Sequence, residues 1–160
     1  MTTSSTLYTD VHDAWAAIPP PPAEELQYMA WGWGEATAHA FIGIAPIDVD
    51  ISSAGFYAAT PLLDLPPKAA AAYLGTYLLS LLRSLEHQKS IGIYFDIETR
   101  AHTITCLTLP SFWERVIRPF LPSKCRQVLV QVVTFLASEK EALALTQEQV
   151  DTMLALASEH

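Results

Sequence analysis

The chain has 160 residues, 51% of them hydrophobic and 16% charged, which excludes an intrinsically disordered protein and leaves a single domain able to bury a core without disulfide or metal staples. Its net charge of −8 is unevenly placed: residues 1–67 contain eight acids and no Lys or Arg, whereas residues 68–160 hold nine acids against nine bases. A field of that sign repels nucleic-acid phosphates and anionic membranes and attracts a basic partner.

The N-terminal MTTSSTLYTD has neither a basic start nor an apolar run, so it does not read as a secretory signal. The longest uncharged apolar stretch, Ala69 to Leu82, is shorter than the roughly 20 residues that a membrane span requires. A soluble, cytoplasmic protein is expected.

In chain order, Leu7, Val11, Trp15 and Ile18 fall on one face of a first helix, and the proline run at 19–22 ends it. Glu24 and Glu25 then suit the positive end of a second helix. On that helix Leu26, Met29, Trp33, Ala36 and Ala40 share one face, while Tyr28, Trp31, Glu35 and His39 share another. Gly32 and Gly34 each cost about 1 kcal/mol relative to alanine inside a helix, so they imply close approach of another backbone or a local irregularity. Residues 43–66 read as a loop-rich connection. Asp48 and Asp50 there lack the further oxygen ligands and the glycine of a calcium loop, and read as surface acids.

The stretch from Pro67 to Gln88 is the strongest helix signal. It is apolar nearly all round apart from a stripe of Thr76, Ser80, Arg83 and His87, the pattern of a central helix. IGIYFDIE and HTITCLTL flank Thr99 and Arg100 and are rich in β-branched and aromatic residues, which predicts a β-hairpin near 91–108 with Asp96 and Glu98 facing solvent. A short helix follows, capped by Ser111 with Glu114 and stopped by Pro119. The next starts near Ser123 and buries Cys125, Val128, Leu129, Val132 and Leu136. The last starts at a Thr146–Gln149 capping box and buries Val150, Met153, Leu154 and Ala157. The fold class expected is therefore mainly α: one domain over 1–160, a bundle of five to six helices with a small hairpin.

Cys106 and Cys125 lie in apolar settings with no CxxC spacing, and read as buried, reduced thiols. The chain contains no GxSxG, phosphate-binding glycine loop or HExxH, and His12, His39, His87, His102 and His160 form no helical pair. No catalytic residue, cofactor or metal site is assigned from the sequence.

The order AWAAIPPPP, WGEATAHAF, GFYAATPLLDLPPKAAAAYLGTYLLSLL and FLASEKEALALTQEQVDTML resembles a family of small bacterial proteins of unknown function. In that family an N-terminal proline-ended helix and a Glu-bearing helix precede a central helix, and a Gln-rich, leucine-spaced helix comes last. The likeness covers most of the chain through packing patterns, and the central TPLLDLPPKAAAAYL replaces a compact Leu-Pro-Ala-Tyr. It implies a fold and no reaction.

Two functions are consistent with these features. The first is a non-catalytic interaction protein, such as an immunity or antitoxin-like protein, that masks a basic partner with Asp10, Asp13, Glu24, Glu25, Glu35, His39, Asp48 and Asp50, with Trp31 as aromatic anchor. An exposed Trp also suits a homodimer. The alternative is an enzyme or small-ligand binder with a pocket around Glu35 and His39, beside Tyr73 or Tyr77.

Overall fold

The computed structural model describes residues 2–26, 42–49, 51, 61–91 and 97–159. Helix α1 covers Ser4–Trp15; Thr3 caps it by accepting the Thr6 N–H through its hydroxyl at 3.2 Å. Leu7, Val11 and Trp15 are fully buried along one stripe, with Ile18 packed at its end, as the four- and three-residue spacing requires. The proline run separates α1 from α2, the single turn Ala23–Leu26. A 3₁₀ turn follows at Pro46–Asp48, then α3 at Pro61–Asp64.

The axis of the fold is α4, Pro67–Ile91, which carries α1, α3, the 3₁₀ turn and the two helices that succeed it. Its apolar surface is buried nearly all round from Ala69 to Leu85. Thr76, part of the polar stripe read from the sequence, is itself buried and donates its hydroxyl to the Val49 carbonyl at 2.7 Å, which satisfies it where water is excluded. Trp15 lies across α4, its indole N–H donating to the Ala71 carbonyl at 3.2 Å. The ring sits where a side chain at Gly75 would be, so the bare glycine backbone sets the close approach of α1 to α4.

The predicted hairpin is corrected. Residues Ile97–Thr108 form helix α5, and residues 92–96 fall outside the described residues. The buried positions Thr99, His102, Thr103, Cys106 and Leu107 recur at three and four residues, a helical period that β-branched composition disguised. The threonine hydroxyls that strand propensity emphasises instead bond back along the helix: Thr103 to the Thr99 carbonyl and Thr105 to that of Ala101, both at 2.8 Å. Asp96 lies outside the described residues, and Glu98 is on a helix, not a strand.

Helix α6 runs over 110–120 and does not stop at Pro119. Leu109 precedes it and Pro110 occupies its first turn, so the predicted Ser111 cap is not used. Its middle, Trp113–Ile117, is π-helical, with the Arg118 N–H donating to the Trp113 carbonyl. That widened turn accommodates a proline ring that would clash with the carbonyl four residues back in an ordinary α-helix, and the helix continues through Phe120. Trp113 is buried and donates its indole N–H to the Leu107 carbonyl at 2.9 Å.

Helix α7, Ser123–Ser138, packs on α1 and buries every residue predicted for it, together with Val133 and Phe135. Helix α8, Gln147–Ser158, opens on the expected reciprocal capping box and covers α7 and α5. Leu156 takes the buried place predicted for Leu154, which is exposed. The described residues thus hold eight helices, more than the five to six expected, and none is long and apolar enough to cross a membrane.

Candidate functional site

The acids predicted to meet a partner lie on three short pieces of backbone. Asp10 and Asp13 are one turn apart on α1, Glu24 and Glu25 form the first turn of α2, and Asp48 closes the 3₁₀ turn, which packs beside α1. Asp13, Glu24 and Asp48 are exposed, while Asp10 and Glu25 are half-buried. Trp31, Glu35, His39 and Asp50 lie outside the described residues, as do Gly32 and Gly34.

The acidic face of α1 is bounded by cations from later in the chain. Lys124, at the start of α7, donates to the Asp13 carbonyl at 3.3 Å, and His12 approaches the Asp13 carboxylate at 3.4 Å. Arg83 of α4 donates to the Tyr8 hydroxyl at 2.7 Å, with its guanidinium carbon 5.5 Å from the ring centroid. Asp10, Glu24 and Asp48 take no part in these contacts.

Glu25 differs from the others. Its Oε2 is buried and accepts no hydrogen bond among the described residues, although a buried carboxylate oxygen without a donor costs free energy.

The tyrosines of the alternative ligand pocket are core residues. Tyr73 and Tyr77 are fully buried on α4; burial pushes the Tyr73 phenol up to about 12, and Tyr77 meets His102 of α5 edge-on with ring centroids 5.9 Å apart.

That contact leads to a pair the sequence reading missed. With α5 helical, His102 and Cys106 stand four residues apart on one face, Nε2 to Sγ 3.7 Å; in an extended strand they would lie more than 10 Å apart. Burial holds the His102 imidazole down to about 4 and pushes the Cys106 thiol up to about 12. At neutral pH both groups are uncharged, so the pair offers neither thiolate nor imidazolium and serves the core. Cys125, whose thiol donates to the Ala14 carbonyl at 3.2 Å, is likewise raised by burial to about 11. Both cysteines are free and buried. A thiol-reactive dye at pH 8 is therefore expected to label neither in the native protein on a timescale of minutes and both in denaturant; rapid native labelling would place a thiol at the surface.

Among the described residues no group of three or more His, Cys, Asp or Glu is disposed to hold a metal ion. No protein-family model, curated protein or solved structure matches the chain. The resemblance in motif order therefore lends the chain no residue roles.

Proposed function

We propose that this chain is a non-catalytic binding protein that holds a basic protein partner through the acids of its first 67 residues, in the manner of a bacterial immunity protein or antitoxin masking a basic toxin such as a nuclease. The observation that supports this is the confinement of the whole net charge to residues that carry no Lys or Arg. Asp10, Glu24 and Asp48 present that charge at or near the surface, Asp10 and Asp48 on α1 and the 3₁₀ turn, which pack on α4, so little ordering of those two elements is needed when a partner docks. Asp13 and Glu25 extend the same surface. Trp31, Glu35, His39 and Asp50 complete the set by sequence, Trp31 as the aromatic anchor that such interfaces concentrate near their centre. A cytoplasmic location fits a masking role.

The test is affinity capture of the tagged protein from its native host at low and moderate salt. The expected result is one stoichiometric basic protein, lost as salt rises through the range where exposed charges are screened. Recovery of no partner, or of one held equally at both salts, would contradict the proposal; self-association in place of a partner would assign the surface to a homodimer.

A further inference from the structure

A pocket of about 290 Å³ opens where the chain leaves α1. Its apolar lining comes from the proline run 19–22 with Ile18, from Ala71 and Ala72 of α4, and from Phe120. Among the described residues its lining includes two charged ones, Glu25 and Lys68. The proline wall has no rotamers to freeze on binding. Phe120 is 45% exposed, and it reaches this place because the π-turn carries α6 across Pro119. An apolar pocket with a few polar groups is the usual form of a small-molecule site, and this one lies just below the range of about 300–1,000 Å³ that takes drug-sized ligands.

The geometry points to a small zwitterion with an apolar body, a free α-amino acid bearing an aliphatic or aromatic side chain. Its ammonium group meets Glu25, whose carboxylate has a buried oxygen without a donor among the described residues. Because the charge is shared by both oxygens, a cation on the pocket side relieves the carboxylate as a whole. Lys68, exposed at the start of α4, receives the carboxylate group. The side chain lies between the prolines and Phe120, which accounts for the apolar walls. A purely apolar ligand would leave Glu25 uncompensated, and a simple cation would leave Lys68 without a role. This site shares Glu25 with the macromolecular surface proposed above, but its remaining lining lies outside that surface and its ligand does not depend on that reading.

Isothermal titration calorimetry of the full chain with phenylalanine, phenethylamine and 3-phenylpropionate tests the assignment. Phenylalanine is expected to bind, and each analogue, lacking one of its two charges, to bind about tenfold or more weakly, the loss of one charge-assisted hydrogen bond. Glu25→Gln should weaken phenylalanine and phenethylamine and leave phenylpropionate unchanged; Lys68→Met should do the reverse. Thermal unfolding of both variants checks that each is folded. No binding of phenylalanine at millimolar concentration, equal binding of all three compounds, or folded variants that bind like the native protein would each overturn the assignment.

Discussion

Replacing Gly75 by alanine is expected to lower the unfolding free energy by about 2 kcal/mol, although alanine improves helix propensity by about 1 kcal/mol in an ordinary helix interior. The added methyl would fall on the body of the Trp15 indole, not on the end of a flexible chain. The ring cannot swing away, because it is fully buried and its N–H is held by the Ala71 carbonyl. Relief requires moving α1 along α4, at the expense of the contacts of Leu7 and Val11. In a protein of this length the loss corresponds to a fall in Tm of roughly 4–8 °C. Trp15→Leu is itself destabilising, but in that background Gly75→Ala should be neutral or stabilising, since the clash has gone and the propensity gain remains. Such non-additivity is the signature of direct contact. Stabilisation of the otherwise native chain by Gly75→Ala, read by denaturant unfolding, would contradict the packing described.

Acidification is expected to remove about 2 kcal/mol of stability by pH 5 and about 3 kcal/mol by pH 4 through His102 alone. In the unfolded chain its imidazole protonates near pH 6.5, whereas burial keeps the folded one neutral down to about pH 4. Between those values the unfolded state binds the extra proton, so the full stability is present above pH 6.5 and is lost as pH falls through the window. The cause is desolvation in the contact with Tyr77 and Cys106. His102→Gln keeps a polar, neutral side chain of similar reach. It should lower stability at pH 7 and flatten the dependence between pH 6.5 and 5, measured as urea midpoints. An equally steep acid limb in the variant would move the effect to other groups.

Much of this architecture was legible in the residues. Helices α1, α4, α7 and α8 declare themselves because their buried faces are apolar and their ends carry prolines or side-chain caps. Helix α5 does not, since three of its buried residues, Thr99, His102 and Thr103, are polar, and its threonines satisfy themselves on carbonyls of their own helix, which hydropathy does not register. The continuation of α6 past Pro119 depends on a π-turn that no residue type specifies. The acids were visible as a charge count, but Lys124 and Arg83, which reach α1 at the Asp13 carbonyl and the Tyr8 hydroxyl, come from segments 70 or more residues away in sequence. The pocket was hidden for the same reason, being assembled from 17–22, Glu25, 68–72 and 120–122. Its two charged residues have no local pattern linking them.

The measurement that bears most directly on the central claim is the association rate constant with the captured basic partner as a function of ionic strength. The native chain is compared with a variant carrying Asp10→Asn, Glu24→Gln and Asp48→Asn. Steering by the acidic N-terminal surface predicts a native rate that falls by about tenfold or more as salt rises, and a variant that is slower at low salt and nearly flat. Identical rates and slopes for the two proteins would contradict it, because the partner would then be recognised without the charge that distinguishes residues 1–67.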